Sequence, residues 1–313
     1  MIKIHYITFG CKVNLYETEC MKELLVSEGY EVANSEQDAD IFLINTCTVT
    51  SESDKKLKKT INRIKKSFPD SIVALAGCFV QAFPDKSKEL GVEILIGNGN
   101  KTKIVSALRE YLLCKVNQLH ISENPIKATF EPMCLGGFQK KTRAFLKIQD
   151  GCNQFCTYCI IPKARGRICS KSVDEIRKEV ELLAENGYKE VVIVGINLSF
   201  YGKEFGLRLI DAIETICSVD GIERVRLGSL EPEVISDEDI KRMSKLKKLC
   251  PQFHLSLQSG CDRTLKAMNR HYTSEEYTEI VNKLRCAFEN PAITTDIMVG
   301  FPGETEEDFN DTL

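Results

Sequence analysis

Short apolar runs alternate along this chain with longer segments whose apolar residues recur every three or four positions. Residues 2–8 are β-rich and read as a strand. Asn14 followed by Glu17 has the spacing of a capping box, opening a helix through Leu24 and Leu25 to Gly29. Residues 41–45 and 72–76 are apolar runs of strand length, expected to be buried. Between them Leu57, Ile61, Ile64 and Phe68 recur at helical spacing, with lysines on the other face. Residues 93–96 predict a fourth strand and 101–113 a closing helix. This alternation predicts a parallel sheet covered on both faces, a flavodoxin-like α/β domain over residues 1–115.

The rhythm lapses over 116–142, where Asn117, Asn124, Pro125, Pro132 and the pair Gly136-Gly137 mark a linker. It resumes with strands expected at 144–148, 190–194, 224–227, 253–257 and 293–299. Two of the intervening helices open with capping signatures, Ser172 with Glu175 and Thr273 with Glu276. Five successive βα units predict a (β/α) barrel over 143–313. Leu313 falls inside the helix after the fifth strand, so the expected barrel is partial, truncated after that strand.

Composition adds one anomaly. The 313 residues hold 42 Lys+Arg against 45 Asp+Glu, a formal charge of −3. An overall basic nucleic-acid binder is excluded, while a local basic face is not. At 43% hydrophobic residues the chain is too apolar for disorder. The anomaly is 14 cysteines. The N-terminus lacks the apolar run of a signal peptide, and no stretch approaches the roughly 20 apolar residues of a membrane span. The expected setting is the reducing cytoplasm, without membrane attachment, where clustered cysteines read as metal ligands or redox groups.

The sharpest cluster is Gly151-Cys-Asn-Gln-Phe-Cys-Thr-Tyr-Cys159, with Cys152, Cys156 and Cys159 in C-x3-C-x2-C spacing after the first barrel strand. Barrel active sites sit at the carboxyl ends of strands. Three close thiolates suit a [4Fe–4S] cluster with one iron open. A zinc site is the competing reading, with Cys169 as the nearest fourth ligand. A second set is hidden by sequence distance. Cys11, Cys47 and Cys78 each follow one of the first-domain strands, at the edge where open α/β sheets bind ligands. Gly10 and Gly77 would let the backbone approach a bulky inorganic group. Three buried cysteines are the plain alternative; coincidence at three strand ends favours a second cluster.

The C-x3-C-x2-C motif resembles that of the radical S-adenosylmethionine (SAM) superfamily. Both triads together resemble the methylthiotransferases of that superfamily, whose N-terminal domain holds a second [4Fe–4S] cluster. The resemblance runs along nearly the whole chain. It includes Asp150-Gly-Cys-Asn153, Tyr158-Cys-Ile-Ile-Pro162, Ala164-Arg-Gly166, Val194-Gly-Ile-Asn197, Ser229-Leu-Glu-Pro232, His254-Leu-Ser-Leu-Gln-Ser-Gly-Cys261, Met268-Asn-Arg270 and Asp296-Ile-Met-Val-Gly-Phe-Pro-Gly-Glu304. Lys12-Val13 and Glu17-Thr18 resemble the branch acting on N6-threonylcarbamoyladenosine at position 37 of tRNA, rather than the isopentenyladenosine or ribosomal-protein branches.

The resemblance implies two [4Fe–4S] clusters, SAM as methyl and radical source, and replacement of the adenine C2–H by C2–SCH3. Implied partners are the tRNA anticodon loop, an electron donor and a sulfur source. Tyr158 matches the position that packs on the SAM adenine; otherwise it is a core aromatic. Further SAM contacts are expected at strand ends: Gly195, Asn197, Glu231, Ser256, Gln258, Gly300, Pro302 and Gly303. A barrel-layer position for Ser256 and plain turns for the glycines are the alternatives. Arg270 is expected to meet the SAM carboxylate or to pair with Glu275 or Glu276.

Lys163, Arg165 and Arg167 follow the radical triad and are the expected RNA contacts. Lys55, Lys56, Lys58, Lys59, Arg63, Lys65 and Lys66 line one helix, either a solvated face or a phosphate-binding one. Cys261 is expected to border the site, and the other cysteines to be small hydrophobes. Family members continue into a sixth strand and a small RNA-binding β-barrel, and neither follows Leu313. An iron–sulfur electron-transfer protein, a zinc protein and a tRNA-binding module without chemistry are the rival readings.

Overall fold

The computed structural model describes residues 1–122, 129–137 and 142–313. Asn124 and Pro125 lie outside them. The chain forms two compact units. One holds Met1–Leu135 together with Ile160–Arg167, the other Gly136–Cys159 with Ile168–Leu313.

The first unit is built on a parallel sheet of six strands. These are β1 (Lys3–Thr8), β2 (Glu31–Val32), β3 (Ile41–Thr46), β4 (Ile72–Gly77), β5 (Ile94–Ile96) and β6 (Gln118–His120). Their order is β2-β1-β3-β4-β5-β6, whose first five strands follow the flavodoxin order with its reversal between β1 and β3. β2 and β6 escape prediction because each is only two or three residues long, too short to show a period. β6 lies in the stretch expected to be linker. Every residue of β3 is buried, as a central strand covered on both faces requires.

Helix α1 (Lys12–Ser27) begins two residues before Asn14, with Cys11 at its N-cap and no side-chain cap bond. The expected capping box is therefore wrong. Asn14 and Glu17 lie inside the helix, buried, and their polar groups serve tertiary partners instead. Helix α2 (Ser51–Ser67) is amphipathic as expected: Leu57, Ile61 and Ile64 pack on Phe42, Ile44, Val73 and Leu75. Each such burial contributes about 1.5–3 kcal/mol. Short helices α3 (Cys78–Ala82) and α4 (Pro84–Lys88) follow β4, and α5 (Ile104–Cys114) packs against α1 and β5. The segment after the C-x3-C-x2-C triad contributes α6 (Ile161–Arg165), which packs on α3.

In the second unit the expected strands appear as β7 (Ala144–Lys147), then β10 (Glu190–Val194), then β11 (Arg224–Leu227) with β12 (Ser229–Leu230). β13 (Gln252–Leu255) and β14 (Ala292–Thr294) complete the series. All pair in parallel, as two three-stranded sheets, β11-β10-β7 and β12-β13-β14. Gly228 is the joint between them. A Cβ there would stand 3.1 Å from the Ile193 carbonyl oxygen, so the strand bends and changes sheet at the residue without one. A small antiparallel pair, β8 (Gln149–Asp150) with β9 (Cys169–Ser170), closes the loop that carries the second triad.

The intervening helices are α7 (Val173–Glu185), α8 (Leu209–Ser218), α9 (Asp237–Met243), α10 (Asp262–Ala267), α11 (Ser274–Ala287) and α12 (Glu306–Thr312). The boxes Ser172–Glu175 and Thr273–Glu276 cap α7 and α11 as predicted, and Ser236–Asp239 and Thr305–Asp308 cap α9 and α12. Among the described residues no helix is long and apolar enough to cross a membrane.

Gly77 has φ 105° and ψ −151°, a region closed to side chains. Its missing Cβ would lie 2.6 Å from Asn45 Oδ1 and 2.8 Å from the Thr46 carbonyl oxygen. Gly99 also has positive φ (77°), but nothing lies within 4 Å of its Cβ position. Gly77→Ala is therefore expected to lower the unfolding free energy by more than about 2 kcal/mol, against about 1 kcal/mol for Gly99→Ala. Urea denaturation of the apoprotein measures both; equal losses would refute the close-packing argument.

Candidate active site: two three-cysteine centres

Parallel register decides where the first three cysteines go. Thr8 stands opposite Asn45, and Asn45 opposite Ala76, so β1, β3 and β4 end side by side. The turns that follow carry Cys11, Cys47 and Cys78 at the reversal of strand order. Cys11 is exposed, while Cys47 and Cys78 are buried. The Cys11 thiol donates to Asn14 Oδ1 at 3.3 Å, and Asn98 Nδ2 donates to Cys78 Sγ at 3.5 Å. Burial pushes the Cys47 thiol up; the Val49 backbone bond opposes this, Cys78 and Cys11 add to the rise, and Arg165 counters it. Gly10 does make a close approach, but to protein: its absent Cβ would sit 2.9 Å from that of Cys47.

A charged group underlies this site. The Glu17 side chain is fully buried and meets Arg165 NH1 at 2.8 Å and Lys101 Nζ at 3.1 Å. Arg165 NH2 also reaches Asn14 Oδ1 at 3.4 Å. Lys101 donates to Asn98 Oδ1, and Asn98 Nδ2 to the Ala164 carbonyl at 2.7 Å. Arg165, expected to touch RNA, is thus no surface cation: its side chain is 1% exposed and neutralises a buried carboxylate. Lys163 and Arg167 remain exposed.

The second centre is one loop clamped from several strand ends. Gln149 is fully buried; its Nε2 holds the Asp150 and Gly151 carbonyls at 2.7 and 2.8 Å. Its Oε1 accepts the backbone N–H of Ile196 and Asn197 at 3.0 and 2.7 Å. Asn197 Nδ2 reaches Cys152 Sγ at 3.5 Å, beside the Gln154 N–H at 3.4 Å. Arg270 NH1 reaches Cys156 Sγ at 3.3 Å, and Asn269 Nδ2 holds the Gln154 and Phe155 carbonyls at 3.1 Å each. Arg270 forms an ion pair with Glu231, not with Glu275 or Glu276; Glu276 is committed to capping α11. Burial disfavours the Arg270 charge, but Glu231, Tyr272 and Cys156 outweigh it and hold the guanidinium above its ordinary range. Burial raises Glu231, and Arg270 opposes that rise.

The comparisons decide the family. Residues 146–313 match the Radical SAM superfamily, and residues 3–97 match "Uncharacterized protein family UPF0004". The chain is 42% identical over 307 residues to threonylcarbamoyladenosine tRNA methylthiotransferase MtaB of Thermotoga maritima, covering 98% of this chain and 70% of that protein. It is 37% identical to the tRNA-2-methylthio-N(6)-dimethylallyladenosine synthase of Caldicellulosiruptor saccharolyticus, covering 99% and 67%. This chain is a member of the radical SAM methylthiotransferases. The radical SAM methyltransferase TsrM of Kitasatospora setae shares the fold, with TM-score 0.67 at 14% identity over 98% of this chain and 69% of that one.

For a methylthiotransferase, the residues present fit SAM and a cluster at the second centre. Cys152, Cys156 and Cys159 share one loop there, and Asn197 Oδ1 and Glu233 Oε2 are buried acceptors without a hydrogen-bond partner. Two bare acceptors suit a ligand bearing an ammonium and ribose hydroxyls. Among the described residues no group of three or more His, Cys, Asp and Glu closes to single-ion distances. Cys169, the expected fourth zinc ligand, lies on β9, buried opposite Asp150.

Of the other expected SAM contacts, Asn197, Glu231 and Arg270 gather at the cysteines. Tyr158 is 40% exposed, its ring centroid 6.2 Å from that of Phe301 in an edge-on arrangement, so it is not a core aromatic. Phe301 belongs to the turn of Gly300, Pro302 and Gly303, where the Glu304 carboxylate accepts the Gly300 and Phe301 N–H groups. Gly195 is confined: its absent Cβ would meet Leu198 and Gln149 at 2.8 and 3.0 Å. Ser256 presents its carbonyl to the Tyr272 hydroxyl at 2.6 Å. Gln258 has φ 67° and exchanges backbone bonds with Asp296 and Met298. Cys261 is buried and bonds Asp308 at 3.1 Å, a packing role rather than a rim position. Gln149 and Asn269 were missed; a Gln or Asn carries no signature of what its amide will clamp.

Burial raises the thiols of Cys47 and Cys152 above the ordinary 9.0. Only the thiolate is nucleophilic. In the apoprotein, iodoacetamide modification of both is therefore expected to be slow at neutral pH and to keep accelerating past pH 9.0. Peptide mass spectrometry follows each site; a plateau below that value would contradict the assignment.

Proposed function

We propose that this chain methylthiolates C2 of N6-threonylcarbamoyladenosine at position 37 of tRNA, in the cytoplasm. The observation that carries the reading is the pair of three-thiol centres, each at the carboxyl ends of parallel strands and each one ligand short of a complete [4Fe–4S] set. Cys11, Cys47 and Cys78 would hold one cluster, and Cys152, Cys156 and Cys159 the other. When bound, these clusters and SAM supply the radical, the sulfur and the methyl group.

The chain's own residues bind and orient. Asn197, the Gln154 N–H and Arg270 donate toward the sulfurs of Cys152 and Cys156 and orient them for ligation. Tyr158 offers an accessible aromatic face for an adenine, and Asn197 Oδ1 and Glu233 Oε2 are acceptors for the polar end of SAM. An electron donor and a sulfur source complete the reaction.

Two features favour the threonylcarbamoyl substrate over the dimethylallyl one. Lys12-Val13 and Glu17-Thr18 match the first branch, and the relative named for that substrate is the more similar of the two, 42% against 37%. For RNA contact, Lys163 and Arg167 replace the full trio. Lys163 and Lys86 each stand 4.8 Å from the Phe83 ring centroid, a basic and aromatic pairing of the kind that holds single-stranded RNA. The α2 lysines are partly committed: Lys55 pairs with Glu52, Arg63 with Glu36, and Lys65 holds the Leu90 and Gly91 carbonyls. A solvated face explains most of that run.

The test is nucleoside mass spectrometry of tRNA incubated with the reconstituted protein, SAM and a reductant. The expected product is the 2-methylthio derivative of N6-threonylcarbamoyladenosine, lost in Cys11→Ala and in Cys152→Ala. Modification of isopentenyladenosine alone would overturn the substrate, and full activity of Cys11→Ala would overturn the role of the first centre.

A further inference from the structure

Gln149 opens β8, is fully buried, and spends both ends of its side-chain amide on backbone. Its Nε2 donates to the Asp150 and Gly151 carbonyls, in the loop that carries Cys152. Its Oε1 accepts the N–H groups of Ile196 and Asn197, in the turn after β10. The reverse amide orientation would set oxygen against two carbonyls and nitrogen against two N–H groups, so only one orientation fits. Gly195 makes room for it: a Cβ there would stand 3.0 Å from Gln149 Oε1 and 3.1 Å from the Gln149 Cβ.

The turn so gripped presents Asn197. This residue is the N-cap of a single 3-10 turn, Leu198–Phe200, a place where an asparagine side chain ordinarily bonds the first helical N–H groups. Here it makes no such bond. Its Nδ2 reaches Cys152 Sγ at 3.5 Å instead, and its Oδ1 is left buried without a hydrogen-bond partner. The Asn197 side chain is thus withheld from its local role, while its backbone N–H is held by Gln149 at 2.7 Å.

We propose that Gln149 is a positioning residue for SAM: by tying the Asn197 turn to the loop of Cys152, it fixes the Asn197 amide in the orientation that meets SAM before SAM binds. The inference rests on the reading that Cys152, Cys156 and Cys159 hold a cluster and that Asn197 Oδ1 accepts from the polar end of SAM. A turn already ordered in the free protein needs no ordering on binding, so affinity for SAM is the quantity Gln149 controls.

The experiment compares the full chain with Gln149→Met, Asn197→Ala and the double variant. Before reconstitution, hydrogen–deuterium exchange in peptides spanning Ile196 and Asn197 is expected to speed at least about tenfold in Gln149→Met, because the acceptor of both N–H groups is gone. After anaerobic reconstitution, iron per chain is expected to match the parent. The SAM dissociation constant, from equilibrium dialysis without reductant, is expected to rise about tenfold. Asn197→Ala weakens SAM binding by itself, and adding Gln149→Met to it changes the constant by less than about twofold, because Gln149 acts through Asn197. A merely structural role would lower iron content, or multiply with Asn197→Ala; either result overturns the inference, as does unchanged SAM affinity in Gln149→Met. If Gln149→Met fails to fold, Gly195→Ala, which crowds the same amide, decides by the same two readouts. Asn197→Ala binding SAM as the parent does overturns the Asn197 reading and the inference together. A parent chain that takes up no iron overturns the cluster reading on which both stand.

Discussion

Parallel pairing brings three distant residues to one edge. Cys11, Cys47 and Cys78 are each more than 30 residues from the next in sequence, and nothing local joins them. The ladder β1-β3-β4 does so, because each strand runs the same way and ends level with its neighbour. The reversal of strand order beside β1 opens the crevice there. Everything else about the first centre answers the close quarters this creates: Gly77 where no Cβ fits, Asn45 bonding to helix α1 and Thr46 to the neighbouring strand, and a buried ion group beneath.

The second centre solves a similar problem differently. Its three cysteines are adjacent in sequence, so topology is not needed to collect them. What needs fixing is the conformation of an eight-residue-scale loop, and the strand ends supply amide clamps: Gln149 from beneath, Asn269 and Arg270 from the side, Asn197 at Cys152. The two centres thus share a cysteine count, not a construction.

Much of this was legible in the chain. Long periodic segments announced themselves: the buried strands, the amphipathic α2, the capping boxes of α7 and α11, and the six cysteines at strand ends. What failed was whatever depends on distant partners. Asn14 and Glu17 have capping-box spacing but are drawn into the core by Asn45, Arg165 and Lys101. Arg165 reads as a surface cation because a sequence shows charge and not burial. Arg270 takes a carboxylate far away in sequence, Glu231, over nearer acids. β2 and β6 are too short to carry a period, and Gly228, which splits a strand in two, looks like any other glycine.

The proposed function requires that each unit hold its own iron–sulfur cluster on three cysteines. Iron and acid-labile sulfide per chain, measured after anaerobic reconstitution, tests it most directly. About eight irons are expected for the parent chain. About four are expected when Cys11, Cys47 and Cys78 are all changed to Ala, and about four when Cys152, Cys156 and Cys159 are. Iron content unchanged by loss of Cys11, Cys47 and Cys78, or stoichiometric zinc in place of iron, would contradict it.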